Sequence, residues 1–78
     1  MSEYLVVIEK AGKNYSAYAP DLPGCVATGK TRAAARSAIR AALAFHIEGM
    51  LEDGLKIPKP SAQSAKVAVA KGGRRSAA

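Results

Sequence analysis

The chain has 78 residues and a formal net charge of +6; 49% of it is hydrophobic, with no Trp, three Tyr and one Phe. A chain this short holds one domain and buries only about 60–65% of the surface its unfolded form exposes, which excludes a deep core and makes oligomerisation or a partner the expected source of further burial. No apolar run approaches the ~18 residues of a membrane span and the N-terminus has no basic leader segment, so a cytoplasmic protein without membrane contact is expected.

Residues 4–9, Tyr-Leu-Val-Val-Ile-Glu, predict the first strand, being β-branched, apolar and short. Tyr4, Val6 and Ile8 share one face and Leu5, Val7 and Glu9 the other, which suggests a central strand. Gly12 and Asn14 supply hairpin turn chemistry. Residues 15–19 then predict the antiparallel second strand, with Tyr15, Ala17 and Ala19 on one face and Ser16 and Tyr18 on the other.

The next stretch, Tyr-Ala-Pro-Asp-Leu-Pro-Gly-Cys at residues 18–25, holds two prolines and a glycine, which forbid helix and uninterrupted strand pairing. It reads as a loop between strands. Leu22 and Cys25 are apolar residues in a turn that composition would make polar, so a recognition loop is the sharper reading. Asp21 beside Pro20 is an ordinary turn former. Cys25, the single cysteine, cannot form an internal disulfide, and with no flanking cation it reads as a small buried hydrophobe. Residues 25–28 predict the third strand of a meander.

Thr31 is a good N-cap for a helix reaching about residue 53. Its apolar stripe runs through Ala35, Ile39, Ala42, Leu43, His46 and Met50, with Ala38, Ile47 and Leu51 beside it, the spacing of an amphipathic helix packed on a sheet. Arg32, Arg36 and Arg40 recur on another face. Gly54 sits where a left-handed C-cap belongs, with Leu55 folding back on the last turn.

The two prolines Pro58 and Pro60 force residues 57–61 to be extended. Residues 66–70, Lys-Val-Ala-Val-Ala, alternate and predict a fourth strand. A right-handed crossover would lay it parallel to the first strand in the order 3-2-1-4, and pairing with a neighbouring chain is the alternative. The domain is thus expected to span residues 1–70. The acidic and basic groups of residues 1–55 cancel, so the whole excess charge lies in Lys56, Lys59, Lys66, Lys71, Arg74 and Arg75. Residues 71–78 are expected to form a disordered basic tail.

Catalysis by this chain is not expected. A metal-dependent nuclease needs converging carboxylates, and Glu3, Glu9 and Asp21 are not placed to converge. No metal site or cofactor is expected. His46 on the apolar stripe reads as a packed neutral histidine, since no nucleophile or acid partner is visible nearby.

Taken together, the hairpin opening, the Asp21-Leu22-Pro23-Gly24-Cys25 motif with Thr28 after it, and the helix ending in Gly54-Leu55 followed by Ile57-Pro58 resemble the HicB-like antitoxin family over residues 4–60. The resemblance implies an α+β, βββαβ partial ribonuclease-H-like fold, an antiparallel meander packed on one helix. It implies an antitoxin that binds a small HicA-type mRNA-cleaving toxin and covers its active site, and that forms homodimers or tetramers. Toxin contact is then expected from the loop: Tyr18, Pro20, Asp21, Leu22, Pro23, Gly24 and Cys25, with Tyr18 and Leu22 as anchors. The chain departs from the family in the arginine-rich helix start, where relatives usually place glutamates. The alternative readings are a nucleic-acid-binding module using Lys71, Arg74 and Arg75 of the basic segment, and a stand-alone structural oligomer.

Overall fold

The computed structural model describes residues 2–70. Val7–Ala11 (β1) and Asn14–Tyr18 (β2) form an antiparallel hairpin, and Val26–Gly29 (β3) pairs antiparallel with β2, giving the sheet order β1-β2-β3. The helix Arg32–Glu52 (α1) follows. Among the described residues this is an α+β body of three antiparallel strands and one helix, as the sequence predicts.

The hairpin closes through Gly12 and Lys13. Gly12 alone takes a positive φ, +63°, which matches the right-handed twist of the flanking strands. Asn14 supplies no positive φ and instead pairs with Ala11. Pairing in β1 starts at Val7 rather than at residue 4. Its partner strand ends at Tyr18, where the chain turns into the prolines, so residues 4–6 run past the end of β2 without a ladder. β3 starts at Val26, one residue later than expected, because the Cys25 N–H is used to close a turn.

Both caps of α1 form. Thr31 lies in the extended region and its Oγ1 accepts from the Ala34 N–H at 3.0 Å. At the other end Gly54, at φ +71°, donates to the Leu51 carbonyl at 3.1 Å, and Leu55 donates to the Met50 carbonyl at 2.9 Å. These are the paired bonds of a Schellman motif. Gly29 is required by a close approach. A Cβ there would stand 2.7 Å from the Ala34 carbonyl carbon, where strand end and helix start touch.

α1 crosses one face of the sheet, nearest to β3. The side chains of Ala17, Ala19, Leu22, Cys25, Ala35 and Ile39 are buried between them, and only Leu22 and Ile39 are large. The core is as thin as the composition requires. Leu51, counted beside the apolar stripe from its spacing, is 63% exposed, while Ile47 and Met50 of the same turns pack against the core.

Residues 66–70 do not form the expected fourth strand within this chain. They carry no ladder, and Val67 and Val69 are 80% and 76% exposed. An alternating segment without a partner gains neither hydrogen bonds nor burial to offset the entropy of ordering it. The basic tail, residues 71–78, lies outside the described residues, and with it Lys71, Arg74 and Arg75.

Candidate functional site

The loop after β2 is two β-turns in tandem. Leu22 donates to the Ala19 carbonyl and Cys25 donates to the Leu22 carbonyl, both at 3.1 Å. Each turn has Pro at its second position, and Gly24 at φ +88° occupies the third position of the second turn, the requirement of a type II turn. The double turn drives Leu22 inward. Leu22 is 1% exposed and Cys25 4%, so neither has surface to give a partner; they plug the end of the core under Ile39 and Ala35. Burial pushes the Cys25 thiol above its usual pKa, which keeps it protonated and unreactive.

Asp21, half-buried at the surface, is fully engaged by the chain after the helix. Its carboxylate accepts from the Ser61 N–H at 2.8 Å, the Ser61 hydroxyl at 2.8 Å and the Ala62 N–H at 2.9 Å. The two backbone N–H donors and the hydroxyl hold its pKa below the usual carboxylate range. A second clip joins Tyr4 to the same segment, its hydroxyl donating to the Pro58 carbonyl. Nothing in the sequence marks Ser61 and Ala62 as partners of Asp21, because forty residues separate them.

Surface remains at Tyr18, Pro20, Pro23 and Gly24. Tyr18 stands on the sheet face away from α1, opposite Val7 on β1 and Val26 on β3. Val7 is half-buried, Tyr18 40% exposed and Val26 67% exposed. The three form an apolar row across all three strands, bordered by Glu9, Ser16 and Thr28 and ending at the proline turns. Alternation along each strand could have revealed this row, but only register shows that the three residues are neighbours.

The other candidates are dispersed. His46 is half-buried on α1. Arg32 lies over the Tyr15 ring at 4.9 Å, which ties one cation of the arginine face to β2. Among the described residues no three His, Cys, Asp or Glu side chains are grouped to hold a metal ion, and no helix is long and apolar enough to cross a membrane.

Comparison with known proteins agrees with this architecture. A chain of the solved HicA3 and HicB3 toxin–antitoxin complex superposes with a TM-score of 0.66 at 32% identity, covering 77% of this chain and 70% of that one. An uncharacterized 14.9 kDa protein from the rep–hol intergenic region of Haemophilus phage HP1 is 45% identical over 56 residues, 72% of this chain. The matched part spans only 42% of the phage protein's length. The family model described as HicB-like antitoxin of bacterial toxin–antitoxin system matches residues 4–71, nearly the whole chain, and the protein therefore belongs to the HicB-like antitoxin family.

Proposed function

We propose that this chain neutralises a HicA-type toxin in the cytoplasm by binding it and covering its active site, without performing catalysis itself. Family membership and the likeness to a chain of a toxin–antitoxin complex support the pairing. The observation that carries the binding surface is the apolar row of Val7, Tyr18 and Val26. Apolar side chains on a rigid sheet, with a tyrosine at the centre and a polar border, have the composition of an interface hot spot. The double proline turn at the end of the row is already fixed by two internal hydrogen bonds, so little entropy is lost when it meets a partner. We read the body as the frame of a partial ribonuclease-H-like fold, used here for recognition.

Co-expression with a HicA-type toxin tests the proposal. Tyr18→Asp and Val26→Lys should each abolish toxin co-purification and rescue of growth while leaving the thermal melt nearly unchanged. Both residues are exposed, so loss of binding would not be loss of fold. Undiminished capture by both variants would remove this face from the interface.

A further inference from the structure

All four prolines of the chain lie in two short segments, Pro20 and Pro23 in the loop after β2 and Pro58 and Pro60 in the stretch after α1. Asp21 joins the two. It is the third residue of the first proline turn, and its carboxylate accepts from the Ser61 N–H, the Ser61 hydroxyl and the Ala62 N–H. An aspartate in a turn ordinarily bonds to the backbone of its own turn. This one reaches residues forty and forty-one positions further on. The same stretch is tied a second time, since the Tyr4 hydroxyl donates to the Pro58 carbonyl. Residues 57–62 thus form a strap with a tie near each end, and Pro58 and Pro60 restrict its backbone.

The strap holds the tip of a hairpin. Tyr18 and Val26 are paired across β2 and β3, and residues 19–25 are the loop that joins them. Leu22, 1% exposed, anchors that loop from the core side. Asp21 anchors it to the strap, and Pro20, Pro23 and Gly24 stay exposed around the two anchors. A loop held at neighbouring residues by two different parts of the molecule keeps one shape before it meets a partner.

We infer that residues 57–62 brace the toxin-facing end of the sheet, and that Asp21 and Ser61 are positioning residues for toxin binding. They act through each other and not by touching the toxin, because the Asp21 carboxylate is already engaged by three donors of its own chain. This rests on the proposed toxin reading and adds to it a pair of residues outside the apolar row. With the brace released, the loop and the Tyr18–Val26 pair at its base sample other arrangements, and bound toxin leaves sooner. Changes of this kind are read mainly in the dissociation rate.

Binding kinetics of the full-length chain on an immobilised HicA-type toxin test this. Asp21→Ala is expected to raise the dissociation rate about tenfold and Ser61→Ala about threefold, the size that charge-assisted hydrogen bonds would give. The double variant should dissociate no faster than Asp21→Ala alone, since the two groups share one interaction. Ser61→Thr, which keeps the hydroxyl, should retain the wild-type rate. A variant that only lost stability would supply less competent protein and leave the dissociation rate unchanged. Wild-type dissociation from both single variants would overturn the brace and leave the toxin reading standing. Additive effects in the double variant would also overturn it, because Asp21 would then act on the toxin directly. A wild type that captures no toxin would sink the toxin reading itself, and the brace with it.

Discussion

The Asp21 carboxylate and Ser61, forty positions apart, are joined by two hydrogen bonds of 2.8 Å, one from the Ser61 N–H to Oδ2 and one from its hydroxyl to Oδ1. A turn residue of the sheet thereby fixes the path of the chain after the helix. Asp21 is a structural latch, and the loop it belongs to connects the C-terminal segment to the core.

The latch gives a dependence on pH. The folded pKa of Asp21 is lowered, so its contribution is present above the unfolded carboxylate value near ~3.9 and is lost as pH falls through the folded one. Asp21→Asn is expected to speed proteolysis at residues 59–65 at neutral pH. The difference between variant and wild type should close in strong acid. Equal cleavage at pH 7 would show that the latch does not hold the segment.

Leu22 predicts a stability effect. As one of two large fully buried side chains, its truncation leaves a cavity that so small a core cannot collapse around. Leu22→Ala should cost about 2–4 kcal/mol in denaturant unfolding, and Leu22→Asp should unfold the chain. Any loss of toxin binding in these variants would follow from loss of fold.

Two glycines should respond in opposite directions. Gly29→Ala forces a methyl against the Ala34 and Ala35 backbone and is expected to destabilise by about 1–3 kcal/mol. Gly49 lies inside α1 with open space where a Cβ would go, so Gly49→Ala should stabilise by about 0.5–1 kcal/mol. Thermal melts of the pair check both signs.

Cys25 should resist alkylation in the native protein at neutral pH and react fully in denaturant, since burial both shields the thiol and raises its pKa. Its modification rate would then report global opening. Rapid reaction under native conditions would mean that the second proline turn opens locally.

Local chemistry carried much of this structure in plain view. The Gly12 turn, the Thr31 cap, the Gly54 C-cap and the helix between them follow from backbone preferences that act over a few residues, and the faces of β2 follow from the two-residue period of a strand. Tertiary structure decided what no local preference encodes. Pairing register set Tyr18 between Val7 and Val26, and core packing turned Leu22 and Cys25 inward although a loop residue is ordinarily solvated. The alternation at residues 66–70 has the period of a strand, but a strand exists only where a second edge meets it, and among the described residues none pairs with this segment.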